Sequence, residues 1–266
     1  MSLNENKELL LYEEKLQVLM ENKMVKQIYV LPKVDSTNEY VKKNRLKIQD
    51  GSLFFALEQT NGKGRFDKEW ASQAKKDIAM TLFLKQEETC ECIRYLPFIT
   101  CVAVKRVLNE LTKKNFAIKW PNDILYENKK VCGILCESFF SSKNAYLIIG
   151  VGVNINSDFK GSELEKTATS LKNIVGEEFD IFFTGAKILN EFAKLFEFCV
   201  KNGFDGILKE YLMSCAYLNQ IISIYTKGKK TVGRFTGIDS HGRMILMTKA
   251  GEILRFYSGD VSLNGV

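Results

Sequence analysis

Histidine is almost missing from this chain: His241 is the only one in 266 residues. A zinc or iron centre built on imidazole, or a Ser-His-Asp arrangement with its own base, would have to rest on that residue. Its setting, Asp239-Ser240-His241-Gly242, reads as a turn. Long apolar runs are absent as well. None approaches the ~20 residues needed to span a bilayer, and Leu9-Leu10-Leu11-Tyr12 is flanked by Glu8 and Glu13 rather than by a signal-peptide pattern. A cytoplasmic protein with no membrane partner is expected. The seven cysteines are an odd number without framework spacing, which suits a reducing compartment and small buried side chains better than a disulfide scaffold. Cys90-x-Cys92 and Cys132-x3-Cys136 lack the Cys-x2-Cys pairs of zinc ribbons, so no protein metal ligands are assigned. Internal repeats and low-complexity tracts are also absent.

What remains is the composition of a folded globular protein, 45% apolar and 26% charged, with room for one large domain and a small one. The 38 Lys and Arg against 32 Asp and Glu give a formal charge of +6. The lysines are scattered, with short clusters at Lys42-Lys43, Lys113-Lys114, Lys129-Lys130 and residues 227–230, so charge alone names no partner.

Leu9, Tyr12, Leu16, Leu19 and Met20 share one helical face, which predicts an accessory helix over about residues 5–23. An apolar strand at 28–30 leads to Ser36-x-x-Glu39, which has the spacing of a capping box, and a helix to about Arg45. Strands are predicted at 52–58 and 78–84, a helix at 94–111, and then strands at 116–120, 124–126, 131–140 and 145–154 joined by short turns. That last stretch reads as an antiparallel sheet. Helical periodicity returns over 181–213 with a break at Asn202-Gly203. Short strands at 221–225, 231–238, 243–247 and 252–257 then suggest a small β-barrel beginning near residue 218.

Three segments carry chemistry. Gln59 to Trp70 sets Gly62 and Gly64 beside Lys63, Arg65 and Lys68; such glycines let backbone N–H groups approach an anion that the cations neutralise. The loop is neither a Walker A motif nor a dinucleotide fingerprint, because Leu57 and Asp67 stand where those patterns need glycine. A flexible basic surface loop is the competing reading. Lys119-Trp120-Pro121-Asn122-Asp123 ends an apolar strand on a lysine and turns directly into the next strand; a rim lysine on a rigid base can reach a bound anion, or it can simply snorkel beside a core tryptophan. Gly150-Val151-Gly152-Val153-Asn154 alternates glycine in a strand, which permits close approach of a ligand or marks a packing feature. Asn154 offers a donor and an acceptor to a heterocycle.

In this order, Ser36-Thr37-Asn38, Gln59-x2-Gly-Lys-Gly-Arg with Trp70, Lys-Trp-Pro-Asn-Asp and Gly-Val-Gly-Val-Asn resemble the biotin protein ligase family, also called biotin-(acetyl-CoA-carboxylase) ligases, over about residues 28–264. Thr169-Ser170-Leu171 and Ser258 to Leu263 look like that family too. The resemblance implies an α/β (α+β) fold: a class II synthetase-like catalytic domain with a mixed or antiparallel sheet over 28–218, after an N-terminal helix in 1–27, and an SH3-like C-terminal barrel over 219–266. It implies formation of biotinyl-5′-AMP from biotin and ATP with Mg²⁺, then transfer of biotin to a lysine of a biotin carboxyl carrier domain. No histidine is required, because the first nucleophile is a carboxylate already ionised at pH 7.

By resemblance, Ser36, Thr37, Asn38, Gln59 and Gly133 should line the biotin site, joined by Lys63, Gly64, Arg65 and Lys119. Lys63, Arg65, Trp70, Lys119, Asn122 and Asn154 should hold ATP and the adenylate, with Lys119 and Arg65 as the catalytic cations. Asp123 is the candidate to accept the proton of the acceptor lysine, alongside an equal role as a turn cap. Lys63 and Lys68 stand where the family commonly has arginine, which keeps the charge but loses the bidentate fork. Two other readings are kept: a lipoate-type ligase of the same superfamily, and a nucleic-acid-binding regulator. With 27 residues before Ile28, no DNA-binding domain and no repressor function are expected. The chain is expected as a monomer or homodimer.

Overall fold

Turn residues and apolar alternation set the strands, and the computed structural model, which describes residues 3–226 and 228–263, arranges them in two sheets. The larger contains β1 (Gln27–Leu31), β2 (Ser52–Ala56), β3 (Ile78–Glu87), β4 (Ala117–Lys119), β5 (Asp123–Tyr126), β6 (Lys129–Phe140) and β7 (Asn144–Val153), in the order β1-β2-β3-β7-β6-β5-β4. Only the β1–β2 pair is parallel; the rest of the sheet is antiparallel, so the sheet is mixed. The β5–β6 turn places Glu127 and Asn128 at φ 48° and 65°, the left-handed pair whose twist suits a tight hairpin.

Helices cover both faces. One face carries α3 (Leu96–Thr112), α5 (Ile181–Asn202) and, packed on α5 and β1, α1 (Leu3–Leu19). Leu53 and Phe55 of β2 turn to this main core; Phe54 turns the other way, to join Val41 of α2 (Thr37–Asn44), Phe83 and Ile148. The functional face is the α2 face. Asp180 caps α5 by accepting from the N–H groups of Phe182 and Phe183, and Gly203, at φ 80°, ends it before α6 (Asp205–Met213). A short helix, α4 (Leu171–Val175), follows the Thr169-Ser170 segment.

Two local expectations change. The first helix stops at Leu19 rather than near residue 23, because the Asn22 side chain accepts from the N–H groups of Met24 and Val25 and turns the chain out of the helix. Its apolar face packs as expected, with Leu16 fully buried and the Tyr12 ring stacked 4.6 Å from that of Phe182. The capping box does not form. Ser36 stands at the N-cap of α2 without a side-chain cap bond, and the first amide of the helix, that of Thr37, donates instead to Gln59 Oε1 at 2.8 Å.

The second sheet is five-stranded and antiparallel: β8 (Ile221–Thr226), β9 (Lys229–Ile238), β10 (Met244–Met247), β11 (Ile253–Phe256) and β12 (Asp260–Leu263), in the order β11-β10-β9-β8-β12. β12 adds a strand to the four predicted. Ile222 and Ile224 of β8, Phe235 of β9 and Leu246 of β10 belong to one core cluster with the large domain. All seven cysteines are free thiols. Among the described residues, no helix is long and apolar enough to cross a membrane.

Candidate active site

One ladder row builds the floor of the site. The register pairs Ala79 of β3 with Gly152 of β7, Gly152 with Gly133 of β6, Gly133 with Asp123 of β5, and Asp123 with Lys119 of β4. Directly opposed residues in an antiparallel sheet point to the same face. Five strands therefore present a flat, side-chain-poor floor that ends in a carboxylate and a lysine at the sheet edge. The next row, Thr81, Gly150 and Leu135, extends the floor towards α2.

The glycines of this floor make room for protein side chains. A Cβ on Gly152 would sit 2.5 Å from the Trp70 indole and one on Gly133 2.9 Å from it, while a Cβ on Gly150 would fall 2.1 Å from Asn38 Oδ1. Trp70 belongs to the cationic loop, which is a small hairpin rather than a free coil. The Trp70 backbone N–H donates to Gly62 O at 2.9 Å, Gly64 N–H donates to Lys68 O at 2.7 Å, and the backbones of Lys63 and Glu69 pair as an isolated antiparallel bridge. Gly62 is required here, since a Cβ would meet Trp70 O at 2.5 Å. Phe66 at the tip is half-exposed or more and left-handed at φ 57°, a conformation a bulky residue adopts at a cost.

Loop and floor enclose a cavity of about 180 Å³. At its α2 end stand Ser36, Thr37, Asn38 and Gln59, the first three almost fully buried. Around the rest stand five cations, Lys63, Arg65, Lys68, Lys119 and Lys130, against three carboxylates, Glu69, Asp123 and Asp260. An anion is the natural occupant of that end. Arg65 donates to Asn122 Oδ1 at 3.2 Å, and Asn122 is fixed in turn by donating to Ile134 O at 2.6 Å. Burial pushes the Lys119 ammonium below its ordinary pKa, against the pull of Asp123; burial lowers Arg65 as well, opposed by Asp123 and Asp260.

The structure thus brings together Ser36, Thr37, Asn38, Gln59, Lys63, Gly64, Arg65, Trp70, Lys119, Asn122, Asp123 and Gly133 around one cavity. Asn154 is not among the residues lining it. Its amide donates to Lys130 O at 3.3 Å and Thr169 O at 3.1 Å, leaving a buried Oδ1 without a partner, and so it ties the end of β7 to the backbone beside it. Asp123 is not a free carboxylate, because Lys130 pairs with it at 2.8 Å and lies 5.5 Å from the Trp70 ring centroid. Sequence reading missed Lys130 for a clear reason. A β-bulge at Val131 shifts the β5–β6 register and turns Lys130 onto the face of Asp123, where simple alternation would point it away. Asp260 was missed because it arrives from β12 of the other sheet, where it pairs with Lys68 at 2.6 Å. Trp120, by contrast, is a core residue, 2% exposed.

Comparison with known proteins agrees with this geometry. Residues 30–154 match the Biotin/lipoate A/B protein ligase family and residues 217–264 the Biotin protein ligase C terminal domain. The chain is 33% identical over 218 residues to the bifunctional ligase/repressor BirA of Bacillus subtilis, covering 80% of this chain and 66% of that protein, so it spans a little under two thirds of that relative's length. It is 30% identical over 235 residues to the biotin-(acetyl-CoA-carboxylase) ligase of Paracoccus denitrificans, covering 84% of this chain and 95% of that one. Among solved structures, the biotin protein ligase of Aquifex aeolicus in complex with biotin and ATP superposes with a TM-score of 0.76 at 28% identity, over 89% of this chain and 98% of that one. With a relative at this identity matched over nearly its whole length, and with both family patterns in place, the chain belongs to the biotin protein ligase family.

Proposed function

We propose that the chain is an ATP-dependent biotin ligase, which makes biotinyl-5′-AMP and pyrophosphate and then transfers biotin to a lysine of a biotin carboxyl carrier domain. The observation that carries this reading is the single cavity that sets a buried polar end, Ser36, Thr37 and Gln59, within reach of an anion-binding end, Lys119, Arg65 and Lys63. Biotin has that shape in chemical terms: a neutral ureido ring at one end and a carboxylate at the other.

In the first step the carboxylate attacks the α-phosphorus and pyrophosphate leaves. Both reactants are anions, so the site must supply positive charge as they meet. Lys119 is assigned to the point where carboxylate and α-phosphate converge, and Arg65 and Lys63 to the loop that closes over the product. Closure also excludes water from the adenylate, a mixed anhydride open to hydrolysis. Trp70 and Asn122 are assigned to the nucleotide side. Asn154 is kept as a nucleotide residue only by way of the Lys130–Thr169 backbone that it braces. The 219–266 segment is assigned as the accessory barrel, bringing Asp260 to the rim.

Mg²⁺ is expected to travel with the phosphates of ATP. Among the described residues no group of three His, Cys, Asp or Glu side chains is gathered for a metal, and Asp123 and Asp260 are each engaged by a lysine. In the second step the ε-amine of the acceptor lysine attacks the acyl carbonyl and AMP leaves. That amine arrives mostly protonated, with about one in a few thousand neutral at pH 7. Asp123 is assigned to accept its proton, once the carrier lysine competes with Lys130 for it. A carrier-domain partner and a cytoplasmic location are proposed with this reading.

The test is isotope exchange between pyrophosphate and ATP, followed by labelling of a carrier domain. Exchange that needs biotin and Mg²⁺ is expected. No exchange at saturating biotin would sink the proposal, and faster exchange with lipoate than with biotin would make this a lipoate ligase.

A further inference from the structure

Thr81 is a threonine in the middle of an apolar strand, Ile78-Ala-Met-Thr-Leu-Phe-Leu84, and it is 0% exposed. In the floor row it is covered by Thr37 and Asn38, so it touches two residues that line the cavity without lining it itself. Its Oγ1 lies 2.8 Å from Thr37 Oγ1 and 2.7 Å from Asn38 Oδ1. A buried hydroxyl in such a strand is costly unless its hydrogen bonds are made, so where its one proton goes is informative.

The direction of each bond follows by elimination. Both N–H groups of the Asn38 amide are engaged, one donating to Leu135 O at 3.0 Å and the other to Glu137 Oε2 at 3.2 Å. Asn38 Oδ1 can only accept, and so the Thr81 proton goes to it. Thr81 then offers Thr37 nothing but lone pairs, and Thr37 donates back to Thr81 across the shorter of its two contacts, 2.8 Å against 3.1 Å to Gln59 Oε1. Gln59 Oε1 is already held by the Thr37 N–H at 2.8 Å. Its orientation is thereby fixed: oxygen to the helix, and the Nε2 amine away from it. Among the described residues, neither Gln59 Nε2 nor the Ser36 hydroxyl has a hydrogen-bond partner, and both residues line the cavity.

We propose that Thr81 is a positioning residue for ligand choice: by donating to Asn38 and accepting from Thr37, it turns the Thr37 hydroxyl so that a Thr37 lone pair faces the ligand beside the donors of Gln59 and Ser36. A ring carrying both a carbonyl and N–H groups satisfies that pattern; a dithiolane or a plain alkyl end satisfies none of it. The inference rests on the biotin ligase reading and adds to it a residue outside the cavity that sets its selectivity.

The test uses the full chain and titration calorimetry with biotin, lipoate and ATP separately. Thr81→Val keeps the shape and removes the proton, leaving Asn38 Oδ1 unpaired and the Thr37 hydroxyl free to turn. Biotin affinity is expected to fall about tenfold, the order of one buried hydrogen bond lost with its partner left unsatisfied. ATP affinity should stay within twofold, lipoate binding should not weaken, and Thr81→Ser should restore biotin binding. If Thr81→Val does not fold, Thr81→Cys, a weak donor of similar size, must show the same selective loss. Unchanged biotin affinity in a folded donor-deficient variant, or equal losses for biotin and ATP, would overturn the proposal. A wild-type chain that binds no biotin would instead overturn the functional reading beneath it.

Discussion

Lys119 is a cation held where water is scarce, and its two protonation states pull in opposite directions. Burial lowers its pKa in the folded chain relative to an exposed lysine. The unfolded chain therefore holds this proton to higher pH, so folding is opposed at neutral pH and the penalty fades as pH rises through the lowered pKa. Anion binding has the reverse sign, because it needs the ammonium. Adenylate formation is thus expected to fall on the alkaline side before an ordinary lysine would lose its charge. Lys119→Arg, which stays charged throughout, should move that limb upward while lowering the maximal rate, since a planar fork does not place charge as the ammonium does. A pH series of pyrophosphate exchange on both proteins checks this; coincident alkaline limbs would remove Lys119 from the anion site. Lys119 was legible from sequence because it ends an apolar strand. Lys130, equally close to the chemistry, was not, because its face depends on a bulge that alternation cannot reveal.

At the scale of elements, the site is a property of β-sheet register more than of any motif. Ala79, Gly152, Gly133, Asp123 and Lys119 come from four separate stretches of chain and meet because five antiparallel strands share one row. The alternating glycines of β7 were legible in the sequence, open to either a ligand or a packing role. The space is filled by Asn38 and Trp70, tertiary neighbours that no local pattern encodes. Gly150→Ala should therefore be an overpacking substitution: its Cβ would lie 2.1 Å from Asn38 Oδ1 in an almost fully buried network. A loss of about 1–3 kcal/mol in denaturant unfolding is expected. Gly237→Ala, on a strand of the second sheet with open space around its Cβ and no left-handed φ, tests loss of a strand glycine without the clash; equal losses at both positions would show that packing against α2 is not the cause.

At the scale of the molecule, the two sheets are joined by a shared core and by a contact at the rim of the cavity. The order of elements and the change of character near residue 218 were readable, since they rest on local periodicity and turns. The contribution of Asp260 was not, since it depends on how the second sheet docks. Lys68 and Asp260 are 62% and 52% exposed, so their pairing adds at most about 1 kcal/mol to stability. Its expected effect is on the loop. Asp260→Lys should leave the unfolding midpoint nearly unchanged but speed escape of the adenylate, measured as biotinyl-AMP released without a carrier, and the swapped pair Lys68→Asp with Asp260→Lys should restore retention. Escape unaltered by Asp260→Lys would separate the second sheet from loop closure.

The placement of the two tryptophans gives the protein an optical signal of its own. Trp120 sits in the core and should emit as a constant blue background, whereas Trp70 rests on bare glycine backbone under Lys130, on the segment expected to close. Any shift in emission on adding biotin and ATP should therefore come from one side chain, and Trp70→Phe should abolish it. The resting site carries its own fluorescent gauge of loop position, readable by stopped flow without a label, and the time course would separate closure from chemistry.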